Sequence, residues 1–255
     1  MLAKSLAYAK HFLRVAFYFK LNFIMLIGVP VVSILFNQQQ WFVRTPRIND
    51  VAAVLSSWLG YMLAYWYLVS GSGTTVIISR EEHFLKMFYF ISRGVVPIII
   101  GDFLANSLTL FAVIILLDLV LMIAFKMAFA GLCMLLLLSA IVSSIPVYCA
   151  FLLIGLFPLK TKSLPPVTTI ITAFLIFLTA YSFHDDQTFL VYLFTLINPA
   201  EYTRQLGLLF AQLAGAGVTG APHVAPLFLA AVTAVYLTGG ALAVKKVALQ
   251  PNYKL

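Results

Sequence analysis

Charge is what this sequence has least of. Only 9% of its 255 residues are Asp, Glu, Lys or Arg, against about a quarter in soluble domains. Hydrophobic residues make up 63% and mean hydropathy is +1.04. So few charges cannot cover a water-facing surface, which excludes a soluble enzyme, a secreted disulfide scaffold and a disordered tail. Cysteine is almost missing as well. Cys133 and Cys149 fall in one apolar run, about 24 Å apart along a helix. They cannot bridge each other and read as small buried apolar residues. Acid is scarcer than base, leaving a net charge of +8. In a membrane protein Lys and Arg gather in cytoplasmic loops, so this basicity does not point to nucleic acid.

Chemical motifs are also missing. No Gly-x-x-x-x-Gly-Lys-Ser/Thr occurs, so ATP is not bound through a P-loop. Neither Gly-x-Ser-x-Gly nor His-Glu-x-x-His is present, which removes the usual marks of serine and zinc hydrolases. No cofactor, metal or catalytic residue is expected. Gly215-x-Gly217-x-x-Gly220 matches a dinucleotide fingerprint, but it follows a predicted helix rather than a strand. His184-Asp185-Asp186, with His223, reads as a solvated loop before it reads as a metal site.

What is present is a set of continuous apolar runs, not the ten-residue alternations of a barrel. Six emerge: 17–36, 51–70 (continuing toward 78), 95–125, 127–158, 164–183 and 224–244. About 20 helical residues cross a bilayer core. The expected fold is an all-α polytopic membrane protein with six transmembrane helices and a single domain over 1–255. With the N-terminus inside, the inner side holds twelve of the sixteen Lys and Arg and the outer side four. That bias places both termini in the cytoplasm. The N-terminal basic stretch is long for a signal peptide and no small-residue cleavage site follows it, so it reads as retained.

Three segments carry information. Residues 1–16 read as an amphipathic helix, with Leu2, Leu6, Ala9 and Leu13 on one face and Lys4, Tyr8, His11 and Arg14 opposite. Such a helix lies along a membrane surface. The cytoplasmic loop 79–94 holds Glu81 and Glu82, a capping box from Ser79 to Glu82, an i,i+4 pair from Glu82 to Lys86, and the aromatic residues Phe84, Phe88 and Tyr89. It predicts a short helix starting at Ser79 and ending at Arg93-Gly94. On the residues alone, docking to a soluble partner and lying on lipid headgroups fit it equally. In the outer connection 184–223, Asn198 and Pro199 open a helix as N-cap and first residue. Leu206, Leu209, Phe210 and Leu213 give it an apolar stripe. Residues 187–213 are expected to form one or two short re-entrant helices.

Taken together, the amphipathic leading helix, six spans, Glu81/Glu82 followed by Pro97 and Gly101-Asp102, and an Asn-Pro-initiated outer helix resemble the type-2 ABC exporter permeases (ABC-2 family). The resemblance covers essentially the whole chain. It departs from many members at His83-Phe84, where they carry Gly-Thr. It implies that 1–16 is a connecting helix and that Glu81, Glu82, His83, Phe84, Leu85, Lys86, Phe88 and Tyr89 contact a separate ABC ATP-binding subunit. It further implies a second permease copy or paralogue, and placement in a bacterial cytoplasmic membrane among its lipids.

Trp58, Tyr61, Tyr65 and Trp66 of the second span form an aromatic surface, which fits an interfacial and packing role or a substrate pathway for an amphipathic peptide, drug or lipid-like molecule. Intramembrane acids are functional candidates by default. Asp102 and Asp118 sit toward the two ends of the third span, with Thr109, Leu110 and Phe111 between them. Asp102 is expected to reach Arg93 or Lys86, and Asp118 to reach Lys126. The absence of a midplane acid argues against ion coupling. An ATP-independent carrier or channel is the alternative to a pump, and a lipid enzyme the third class.

Overall fold

The computed structural model describes residues 2–18, 20–44, 46–125, 130–180, 188–213, 215 and 224–247. Every regular element among them is a helix. In chain order these are α1 (Leu2–Tyr18), α2 (Lys20–Asn37), α3 (Gln40–Val43), α4 (Ile48–Val69), α5 (Ser72–Glu81), α6 (Phe84–Ser92), α7 (Val96–Ala124), α8 (Ala130–Leu152), α9 (Leu164–Ala180), α10 (Thr188–Ile197), α11 (Pro199–Leu213) and α12 (Pro226–Lys246). Two 3₁₀ turns, Leu153–Leu156 and Thr161–Ser163, lie between α8 and α9.

Among the described residues, four stretches are long and apolar enough to cross a membrane: Ile48–Glu81, Val96–Ala124, Gly131–Leu156 and Pro226–Lys246. A helical membrane protein follows from these. The other two expected spans are shorter, α2 with 18 residues and α9 with 17. At 1.5 Å per residue a 17-residue helix reaches about 26 Å, short of a core about 30 Å thick.

The bundle core is α4. It packs against α11, α8, α9, α2 and α7, and Met62, Leu63, Trp66 and Tyr67 on it are fully buried. Of the leucine stripe on α11, Leu206 is buried and Leu209 and Phe210 pack against the core, while Leu213 at its end is exposed. Small residues let the backbones come close as well. A Cβ on Gly60 would strike the carbonyl of Ala200, and one on Gly207 would lie 2.9 Å from Ser56 Oγ. Asn198 caps α11 as the sequence predicts, its Oδ1 accepting the Ala200 N–H at 3.0 Å.

The second span breaks at Ser70-Gly71 and restarts as α5. The break frees carbonyls, and threonines take them: Thr74 Oγ1 donates to Leu68 and Gly71 at 2.8 Å, and Thr75 Oγ1 to Ser70 at 3.3 Å. Because the helix has already restarted at Ser72, Ser79 lies inside α5 and the predicted capping box does not form. The new helix begins instead at Phe84, after His83 in the left-handed region.

Helix α1 packs along α7. Gly101 makes this possible, since a Cβ there would meet Tyr8 Cβ at 2.5 Å and Ser5 O at 2.8 Å. The face α1 buries is Ser5, Tyr8 and Phe12, while Leu6 is exposed. The expected two-sided helix is therefore three-sided: one face for α7, a neighbouring apolar edge with Leu6, and a polar face with exposed Lys10, His11 and Arg14.

Candidate functional site

Two regions bring the sequence-selected residues together. The first is the turn from α5 into α6. Arg80 is buried, and its guanidinium donates from Nη1 to Gly155 O at 3.2 Å and from Nη2 to Phe157 O at 2.8 Å. The main-chain N–H of Thr161 donates to Glu81 Oε2. These bonds have a local cause. The 3₁₀ turn at Leu153–Leu156 and Pro158 behind it cannot continue the α-helical ladder, so the end of α8 offers carbonyls. Gly73 and Gly155 let α5 approach them: a Cβ on Gly73 would meet Phe151 O at 2.5 Å and Gly155 N at 2.8 Å. Arg80 is the residue that sequence reasoning passed over. Its signal was an arginine in the last turn of a helix, in a chain where the proline of another loop withholds a donor.

On α6 itself the residues divide. Leu85 and Ser92 point into the bundle, while Phe84, Lys86, Met87, Phe90 and Ile91 are exposed. Glu82 and His83 are exposed as well, and Tyr89 is half-buried. Phe88 lies against α1, with ring centroids 5.2 Å from Tyr8 and 5.7 Å from His11. Tyr8 donates its hydroxyl to Phe88 O at 3.0 Å, and Lys4 Nζ donates to Ile91 O at 3.2 Å. Glu81 is thus turned inward to the next loop, while Glu82, His83, Phe84 and Lys86 remain on the surface. Both ends of α6 are left-handed at non-glycine residues, His83 with φ 62° and Arg93 with φ 59°.

The second region is a groove of about 410 Å³ between α2, α4 and α9. Trp58, Tyr61 and Tyr65 line its α4 wall, with Val29 and Ser33 from α2 and Thr172 and Leu175 from α9. Tyr61 and Tyr65 are stacked at 5.5 Å and 17°, and Trp58 meets Tyr61 edge-on. Among the described residues, no Asp, Glu, Lys or Arg lines it. Thr172 Oγ1 is buried there without a protein partner. Trp66 is not part of the groove. It is fully buried on another face of α4, and its indole donates to Asn106 O at 3.1 Å. A 3.6-residue period places Trp66 100° from Tyr65, so a run of aromatics cannot share one wall.

A buried polar net lies beside it. Asp102 is 3% exposed. Its Oδ2 accepts the Tyr148 hydroxyl at 2.8 Å and its Oδ1 the Asn106 amide at 3.0 Å. Tyr67 and Ser107 share a hydrogen bond of 2.8 Å. Asp102 therefore points into the bundle rather than outward toward Arg93 or Lys86, because Tyr148 and Asn106 supply donors there. Asp118 is half-buried on α7, and its expected partner Lys126 lies outside the described residues, as do His184, Asp185, Asp186, Gly217, Gly220 and His223.

Compared with known proteins, the chain matches no family model, no curated protein and no solved structure. Its class, a helical membrane protein, rests on the fold and on the four spanning-length helices.

Proposed function

We propose that this chain is the permease subunit of an ATP-driven exporter, a member of the ABC-2 class, in a bacterial cytoplasmic membrane. The chain crosses six times, through α2, α4–α5, α7, α8, α9 and α12, with both termini inside and α10–α11 re-entering from outside. A separate ATP-binding subunit supplies the energy, and a second copy or a paralogue completes the pathway. The observation that carries this reading is α6. It is a nine-residue helix at the end of the bundle, fastened to α1 by Tyr8 and Lys4. The turn before it is fastened to the α8–α9 loop by Arg80 and Glu81. Its outer face is nonetheless apolar, with Phe90 69% exposed. A rigidly held apolar helix face offered to the outside suits the cleft of a soluble subunit. Pulling on it would move several helices at once.

The aromatic groove supports an amphipathic cargo. Its walls are apolar and tyrosine-rich, and its polar groups are uncharged hydroxyls and amides. The portion of cargo seated there is therefore uncharged. The permease does no covalent chemistry; its work is a difference in affinity for cargo between two conformations. The alternative, an ATP-independent carrier, draws on the buried Asp102–Tyr148 pair.

The test is purification of tagged protein in mild detergent from its native host, beside Phe90→Asp, with eluates assayed for ATP hydrolysis. Phe90 is exposed and its ring meets that of its chain neighbour Tyr89, so loss of a co-purifying ATPase in a variant that still folds would put the docking face on α6. A wild-type protein without any ATPase overturns the exporter and favours the carrier.

A further inference from the structure

The aromatic groove has an amide end and an aromatic end. Helices α2 and α4 are joined by residues 38–47 alone. Asn22 Nδ2 donates to Ser70 Oγ at 3.2 Å, and the Phe23 ring lies 5.2 Å from that of Trp66. The two helices are therefore antiparallel. This register sets Asn37 and Gln38 beside Ala53 and Val54 at one end of the groove, with Ala64 and Tyr65 toward the other. From residue 53 to residue 65 the α4 wall runs about 18 Å at 1.5 Å per residue. Asn37 Nδ2 donates to Ser33 Oγ at 3.0 Å. Among the described residues, the side chains of Gln38, Tyr61 and Tyr65 have no hydrogen bond to protein.

Size and charge narrow what fits. A cavity of about 150 Å³ holds benzene, with its six carbons, so 410 Å³ holds roughly sixteen carbon-sized groups. That is one alkyl chain with a small head, and too little for two acyl chains. The described lining carries no charge, so an ionised head would leave water without gaining an opposite partner, which is unfavourable. A hydroxyl-bearing head instead exchanges hydrogen bonds with water for hydrogen bonds with the two amides.

We propose that the groove seats a single-chain lipid with an uncharged, hydroxyl-bearing head, of the monoacylglycerol kind, its head at Asn37 and Gln38 and its chain along Trp58, Tyr61 and Tyr65. This deepens the cargo reading above and rests on it, since the six-span topology makes the Asn37 end the outer one. The head then lies at the outer surface and the chain reaches toward the middle of the membrane. Lipid of the outer leaflet has the same order of polarity. A molecule leaving the groove therefore joins that leaflet without turning over.

The experiment uses the full-length chain in phosphatidylcholine nanodiscs and a monoacylglycerol brominated along its chain. Bromine quenches tryptophan on contact, and the part of the quenching that disappears in Trp58→Phe reports the groove. Three further probes are compared at equal bromine content: the same chain bearing a sulfonate, the same chain bearing a quaternary ammonium, and a two-chain brominated phosphatidylcholine. Half-maximal Trp58 quenching is expected at a mole fraction at least ten-fold lower for monoacylglycerol than for the other three. Asn37→Asp with Gln38→Glu adds carboxylates at the end of α2, where Asn37 is exposed and Gln38 half-buried. It should turn the preference several-fold toward the quaternary ammonium. Quenching that is absent, equal for all four probes, or stronger for a charged or two-chain one overturns the proposal. So does a monoacylglycerol preference that the double substitution leaves unchanged, since the head then lies elsewhere. Neither result bears on the ATPase test at α6, and a missing ATPase there leaves the quenching result standing.

Discussion

The guanidinium of Arg80 donates to the main-chain carbonyl of Phe157 at 2.8 Å, across 77 residues of sequence. With the bond to Gly155 it closes the α5 end onto the turn after α8. Two carbonyls that a 3₁₀ turn leaves without helical partners are thereby satisfied by one planar fork.

Arg80→Lys keeps the charge but loses that fork. Burying a carbonyl without a donor costs about 1–3 kcal/mol. Arg80→Lys should therefore lower stability by about that much and free the 157–163 loop. Lys160 and Lys162 are exposed in it, so tryptic cleavage there should quicken in the variant. Equal cleavage of variant and wild type would show that the clamp does not hold the loop.

Gly101→Ala should detach α1. The added methyl group collides with Tyr8 and with the Ser5 backbone, and a backbone collision cannot be relieved by a rotamer change. Overpacking of this kind costs about 1–3 kcal/mol. The expected result is faster proteolysis at Lys10 and Arg14 with the helical content of the bundle preserved. Protection equal to wild type would mean that α1 is held by something other than its contact with α7.

Tyr148→Phe removes one donor from Asp102 in a buried place. The loss should be about 1–3 kcal/mol. In a double-mutant cycle with Asp102→Asn, the two substitutions should be non-additive by about 0.5 kcal/mol or more, since the residues touch. Additive losses, read from thermal unfolding in detergent, would dissolve the pair.

Tyr61→Ala with Tyr65→Ala takes away the stacked wall of the groove. Binding of an uncharged amphipath, followed by the fluorescence of Trp58 on the same wall, should weaken at least ten-fold. That is the scale of about 1.4 kcal/mol, within reach of two lost aromatic contacts. A parallel Trp58→Phe protein should lose the signal. Undiminished binding in the double variant would place the cargo elsewhere.

His83→Gly should stabilise the folded chain, since His83 sits in the left-handed region with φ 62°. A left-handed non-glycine residue carries roughly 1–2 kcal/mol of steric cost, of which glycine returns about half to its own unfolded-state entropy. A net gain of about 0.5–1 kcal/mol in unfolding free energy is expected. A loss would show that the His83 side chain itself supports the turn.

Much of this architecture was legible because lipid imposes a simple rule on sequence. The apolar runs 95–125, 127–158 and 224–244 fall on α7, α8 with its 3₁₀ turn, and α12 to within a few residues. Asn198-Pro199 opens α11 where the sequence places it, because cap chemistry is local. The 79–94 segment was harder. Its composition pointed to a helix, but the start at Phe84 depends on α5 having already restarted beyond Gly71. Of the aromatic surface, Trp58, Tyr61 and Tyr65 share the groove and Trp66 faces α7, a division that depends on which neighbours surround α4.

The sequence by itself determined that the chain is helical and membrane-bound, where its long apolar helices lie, and which short segment carries charge and aromatic residues outside them. Each of these follows from hydrophobicity and local backbone chemistry. Only the tertiary structure decided that Arg80 is a buried clamp, that Tyr8 faces inward onto α6, and that Asp102 meets Tyr148. A polar side chain in a low-charge bundle takes whatever partner comes within about 3 Å. Which partner does so is set by glycine-permitted helix crossings between segments far apart in the chain.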